Sequence, residues 1–112
     1  MDNTRKYITL KQFADFHQVN ITVIREFSDF GLFEIRSVED SPCIFSEDIE
    51  RCERAVRLYK DFGVNKEGIG IILEMRERQV ELQKELTRLR HQLKKHEEKM
   101  MKLFSEEFFD AE

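Results

Sequence analysis

From Gly70 to its last residue the chain contains no proline and no further glycine. Nothing in that stretch breaks a helix, so the pattern predicts one helix over residues 66–104, ~58 Å long at 1.5 Å per residue. A helix of that length cannot lie across a small core, and its apolar residues explain how it is covered. Ile72, Gln79, Leu86, Leu93 and Met100 recur every seven residues. So do Met75, Leu82, Leu89, His96 and Leu103, set three residues later. These are the a and d positions of a heptad repeat, apolar at eight of ten, with charged residues around them. A stripe two residues in seven wide buries itself against another helix. The chain has no second long helix, so the expected partner is the same helix of a second copy. Gln79 and His96 would fix its register, and the charges at e (Arg76, Arg90, Glu97) and g (Arg78, Glu85, Lys99) permit either direction.

The first 64 residues have a different period. In "YITLKQFADFHQV" Thr9 is an N-cap, and Leu10, Phe13, Ala14 and Phe16 or His17 form one apolar face of a first helix. "HQVN" is a short turn. Asn20 caps a second helix, with Ile21, Ile24, Phe27 and Phe30 or a neighbour as the buried stripe and Gly31 at its end. Two short helices joined this closely make a helix-turn-helix. Phe33 and Ile35 alternate with Glu34 and Arg36, then "VEDSP" supplies turn residues before Cys43, Ile44 and Phe45. This predicts a small β-hairpin, or wing. Ser46 is expected to cap a third helix, with Glu47 and Asp48 in its first turn and a stripe of Ile49, Cys52, Val56, Tyr59 and Phe62 ending at Gly63. Asn65 then starts the long helix. The expected fold class is mainly α: a winged helix-turn-helix over 1–64, a dimerisation helix over 65–104, and an acidic, aromatic tail over 105–112. Across that boundary Phe104 and Phe108 lie one helical turn apart. They either continue the helix onto the dimer mate or serve as a docking peptide.

Composition argues against several functions. The chain carries 19 Lys and Arg against 23 Asp and Glu, a net charge of −4, whereas nucleic-acid-binding domains usually carry a basic surplus. The longest apolar run, "IGIILEM", is seven residues, far short of the ~20 needed to span a bilayer. Cys43 and Cys52 have no CxxC spacing and no histidine near them in sequence. They are expected to be reduced, buried thiols of a cytoplasmic protein with no metal site. "GVNKEGIG" lacks the Lys-Ser/Thr of a phosphate loop. No group of residues suggests catalysis and none calls for a cofactor, so the expectation is a non-enzymatic protein.

The helix-turn-helix itself has the wrong charge for DNA. If Ile21, Ile24 and Phe27 face inward, then Thr22, Arg25, Glu26, Ser28 and Asp29 face outward. Residues 20–41 hold two basic side chains, Arg25 and Arg36, against five acidic ones: Glu26, Asp29, Glu34, Glu39 and Asp40. A helix that reads DNA needs phosphate neutralisation and base-edge donors. Carboxylates in those places repel the backbone.

"ITLKQFADFHQVNITVIREFSDFGLF" resembles the winged helix-turn-helix of the MerR superfamily. Arg25 matches the arginine of that pattern's second helix. Glu26 stands where DNA-binding members usually place a tyrosine, and Thr22 where many place an arginine. The wing "SVEDSP" lacks their basic and glycine residues. Downstream, "CERAVRLYKDFGVNKEGIGIILEMRERQVELQKELTRLRHQL" is similar to the chaperone-modulator (CbpM-type) branch of that superfamily. The shared features are the "RAVRL" run, the Gly68-Ile69 step, the "IILEM" run and the leucine seam.

This resemblance implies a homodimer that binds the J-domain of a DnaJ-type co-chaperone and blocks its engagement by Hsp70. The expected contact set is Glu26, Asp29, Glu34, Glu39 and Asp40, facing the J-domain's basic helix. The alternative is a MerR-type transcription regulator contacting DNA through Thr22, Arg25 and Arg36, helped by Arg5 and Lys6. A sensor role is disfavoured, because the chain has neither an added effector domain nor a metal-binding cysteine set.

Overall fold

The computed structural model describes the backbone of residues 6–110 and the side chains of residues 6–105. The described elements are β1 (Tyr7–Thr9), α1 (Leu10–His17), α2 (Ile21–Asp29), β2 (Arg36–Val38), β3 (Ser41–Phe45), α3 (Ser46–Phe62) and α4 (Lys66–Asp110). The fold is a mainly α winged helix-turn-helix with a long C-terminal helix. It divides into two compact units, one ending at Glu74 and one beginning at Met75.

The caps of α1 and α2 form as their sequences dictate. Thr9 accepts from the Gln12 backbone N–H at 3.1 Å while the Gln12 side chain accepts from the Thr9 N–H at 3.0 Å, a reciprocal capping box. Asn20 Oδ1 accepts from the Thr22 N–H at 2.9 Å and from its hydroxyl at 2.8 Å. Gly31 follows α2 at φ +96°, a backbone angle that suits a residue without a Cβ. The chain then turns back, and Leu32 and Phe33 drop into the core.

That core gathers Leu10, Phe13 and Ala14 from α1, Ile24 and Phe27 from α2, Ile44 from β3, and Cys52, Ala55 and Val56 from α3. The first turns of α4 contribute Ile69 and Leu73. No charged or polar side chain is buried among the described residues. At the start of α4, Asn65 Oδ1 accepts from the Gly68 N–H at 2.8 Å. A Cβ on Gly68 would lie 2.8 Å from a Val64 methyl, so only glycine lets the helix start this close to the preceding loop.

Several sequence expectations need correction. A third strand, β1, precedes α1 and pairs antiparallel with β3, giving the sheet order β1-β3-β2. Three residues running straight into a helix are too few to show a strand period. The first wing strand begins at Arg36 and not Phe33, because Phe33 is needed in the core. Ser46 does not cap α3. Its first helical residue is Ser46, and the cap position, Phe45, makes no side-chain bond. The Ser46 N–H donates instead to the Lys6 carbonyl at 2.8 Å, so the neighbouring chain segment replaces a capping side chain.

Of the pair Phe16 or His17, His17 is the half-buried one and Phe16 is 78% exposed. Phe30 is exposed, and Leu32 takes the buried place. Tyr59 and Phe62 are exposed as well, with Ala55 filling the α3 face in their stead. Tyr59 still packs edge-on against Phe27, with ring centres 5.7 Å apart, whereas Phe62 is 70% exposed. Finally, α4 runs past residue 104 to Asp110, so the tail continues the helix, the first of its two expected readings. Arg5 and the side chain of Phe108 lie outside the described residues.

Candidate partner-binding surface and helical seam

Burial of Ile24 and Phe27 turns Thr22, Arg25, Glu26 and Asp29 of α2 outward. Their partners differ. The Thr22 hydroxyl is spent on the Asn20 cap. Glu26 Oε2 lies 3.2 Å from Lys66 Nζ, which also sits 5.4 Å from the centre of the Phe30 ring. Lys66 was not singled out from the sequence. It lies forty positions from Glu26, so no local period reveals the contact. Arg25 and Asp29 make no hydrogen bond or ion pair among the described residues.

The wing holds its one cation tightly. Arg36 Nη2 donates to Glu34 Oε1 at 2.9 Å, Nη1 lies 3.8 Å from Glu47, and the guanidinium lies 5.3 Å from the centre of the Phe45 ring. The hydrogen bond that Arg36 donates to Glu34, with the charges of Glu34, Glu47 and Asp48, pushes the Arg36 pKa further up. Arg36 is therefore committed to its own neighbours. Val38 pairs with Ser41, which leaves Glu39 and Asp40 as a two-residue hairpin loop. Both have left-handed backbone, φ +51° and +67°, the twist such a loop needs. Their exposed carboxylates make no ion pair or hydrogen bond among the described residues.

The five acidic residues thus lie on two elements and in two states. Glu26 and Glu34 are paired with cations, while Asp29, Glu39 and Asp40 are free. The segment joining α2 to the wing is anchored from α3, where Arg51 Nε donates to the Leu32 carbonyl. A second tie runs between α3 and α1. Lys60 Nζ donates to the His17 carbonyl at 2.7 Å, and Glu53 lies 3.4 Å from His17 Nε2. Arg51 and Lys60 stand nineteen and forty-three positions from their acceptors and carry no sequence signal.

In the second unit every described side chain from Met75 to Ser105 is exposed. The seam residues Ile72, Met75, Leu82, Leu86, Leu89, Leu93, Met100 and Leu103 are between 39% and 65% exposed in the single chain. Among the described residues no group of His, Cys, Asp or Glu could hold a metal ion. No described helix is long and apolar enough to cross a membrane.

A three-stranded sheet, a tight two-helix turn and a long terminal helix place the protein among winged helix-turn-helix proteins. The family follows from comparison: the model of the MerR HTH family regulatory protein matches residues 8–91. The chain belongs to that family. Neither the curated proteins nor the solved structures gave a match.

Proposed function

We propose that this protein is a non-enzymatic modulator of a DnaJ-type co-chaperone, a cytoplasmic homodimer that binds the J-domain and blocks Hsp70 engagement. One observation carries the reading. On α2 and the wing Arg25 is the one cation left without a partner, against the free carboxylates of Asp29, Glu39 and Asp40. Such a surface repels phosphate and suits a basic protein helix, where opposite charge speeds encounter and sets specificity. The resemblance of residues 52–93 to chaperone modulators names the basic partner. The seam of α4 supports a dimer, since eight apolar side chains on one face of a single helix otherwise stay in water.

Calorimetric titration of a J-domain into the full chain tests this. Binding should weaken at least tenfold in the charge reversals E26K/D29K and E39K/D40K. Unchanged affinity in both variants removes this surface from the contact, and no binding at all removes the reading.

A second reading is a transcription regulator that binds duplex DNA. It is favoured by membership of a family of regulatory helix-turn-helix proteins and by Arg25, exposed and unpaired on α2. Thr22 and Arg36 would join it only by giving up the Asn20 cap and the two carboxylates. A mobility-shift assay on the gene's upstream region separates the two readings. Sequence-specific retention lost in R25Q would support regulation.

A further inference from the structure

The net negative charge of the chain is not evenly spread along α4. Residues 84–102 contain seven Lys or Arg and three Glu, a surplus of four, in a chain whose net charge is −4. Four of the seven, Lys84, Arg88, Lys95 and Lys102, share the outer positions c and f, while Arg90, Lys94 and Lys99 fall at e, b and g. With Ile72 at position a, the outer positions c and f read Glu74, Glu77 and Glu81 up to residue 81. From there they read Lys84, Arg88, His91, Lys95, Glu98 and Lys102. The outer face changes sign at Lys84, and Lys99 at position g widens the basic part.

We infer that this face of α4, Lys84 to Lys102, is a binding surface for the phosphate backbone of a double-stranded nucleic acid. The inference does not rest on the J-domain reading and uses a different part of the molecule. Positions c and f point away from the a/d seam, so Lys84, Arg88, Lys95 and Lys102 stay in solvent whichever way a second helix pairs, and Lys99, at g, borders the seam. Arg88 is held by Glu85 at 2.6 Å. Lys84, Lys95, Lys99 and Lys102 make no ion pair or hydrogen bond among the described residues and are exposed. They span ~27 Å at steps of ~4.5–6 Å or a multiple of these along the helix. A duplex presents a phosphate charge every ~1.7 Å of its axis, so it can meet cations at such steps in any register.

Two other anionic surfaces fit less well. A helix lying in a membrane interface needs apolar residues beside its cations, and positions c and f hold none between Lys84 and Lys102. Acidic protein interfaces are usually anchored by aromatic side chains, which are also missing from this stripe.

Fluorescence anisotropy of a labelled 30-base-pair duplex of arbitrary sequence, titrated with the full chain, tests the inference. With about four phosphate contacts per chain, the logarithm of affinity should fall with the logarithm of salt at a slope of about −3.6. That is a loss of roughly a hundredfold between 50 and 200 mM salt. The triple variant K95Q/K99Q/K102Q should flatten the slope by about 2.7 and weaken binding at least tenfold at 50 mM, with unchanged circular dichroism. No duplex binding at 50 mM overturns the assignment. So does binding that R25Q removes and the triple variant keeps, which would put the contact on α2. Binding to phosphatidylserine vesicles without binding to the duplex overturns it in favour of a membrane surface.

Discussion

The two units of this chain show two ways in which helices are held. Up to Glu74, each helix gives part of its surface to a shared core of thirteen buried side chains. From Met75 on, α4 buries no described side chain. The difference lies in the period of the apolar residues. In α1 and α2 they cover a broad face, and the covering elements come from the same chain. In α4 they form a seam two residues in seven wide, which only another helix of the same pattern fills. Residues after Gly70 are mostly Leu, Glu, Lys, Arg, Gln and Met, all strong helix formers. The helix is written into that composition, but its stability depends on something outside the single chain. The charge differs too: free carboxylates on α2 and the wing, free lysines on the distal half of α4.

The largest effects should separate the two units. Phe13 is 1% exposed, so F13A should cost about 3–5 kcal/mol and unfold much of the first unit. Both tyrosines, Tyr7 and Tyr59, lie in that unit and the chain has no tryptophan. Intrinsic fluorescence during denaturant unfolding therefore reports on the first unit alone. The double variant L86K/L89K should leave that fluorescence transition in place. It should convert a dimer to a monomer by sedimentation and make helicity independent of concentration. A wild-type chain that is already monomeric at tens of micromolar would refute the seam as a dimer contact.

A pH experiment sharpens the contrast from inside the core. Cys52 is fully buried, and desolvation, with the nearby charges of Glu53 and Asp48, pushes its thiol pKa well above the ordinary value of 9.0. The folded protein keeps this proton where the unfolded chain loses it. Stability linked to Cys52 is therefore complete below pH 9 and falls as pH rises beyond it, by about 1.4 kcal/mol per pH unit. Subtracting the profile of C52A from wild type isolates this slope. A flat difference between pH 8 and 10.5 would show that the thiol is not held in an apolar setting.

Much of the first unit was legible because local signals and global packing agree there. Thr9 and Asn20 are caps followed at once by apolar residues at helical spacing, and both caps form. Gly31 and Gly63 end their helices with positive φ. The misses lie where packing, and not the local pattern, decides a residue's place. Ser46 has the look of a cap, but Lys6, forty positions away in sequence, supplies the acceptor. Phe62 continues the α3 stripe, yet it is 70% exposed, and Ala55 is buried on that helix instead. At the candidate surface the sequence shows which residues are acidic but not which are already neutralised. Lys66 at Glu26 and the two carboxylates at Arg36 emerge only from the fold.

The hairpin tip gives a smaller effect. Glu39 and Asp40 occupy left-handed backbone that glycine adopts without strain. D40G relieves about 1–2 kcal/mol of left-handed strain against about 0.4–1 kcal/mol of added freedom in the unfolded chain, so it should stabilise the first unit by up to about 1 kcal/mol. Thermal unfolding followed by tyrosine fluorescence reads the sign. If the proposed surface is right, the same variant weakens J-domain binding, because it removes a free carboxylate. A tip that gains stability and loses affinity together would mark a position where function, not folding, keeps the aspartate.

The smallest expected effect lies at Glu26 and Lys66, an ion pair with both groups partly in water. A double-mutant cycle of E26Q and K66M should give a coupling of about 0.2–1 kcal/mol, shrinking as salt is added. The pair joins α2 to the first turn of α4 inside the first unit, so its loss should not alter the sedimentation of the chain. Its influence on recognition has the opposite sign to its influence on stability. K66M leaves Glu26 without its cation and adds a free carboxylate to the acidic face. J-domain affinity should therefore rise slightly in K66M while stability falls. If K66M loses affinity instead, then Lys66 and not Glu26 faces the partner, and the contact surface must include the start of α4.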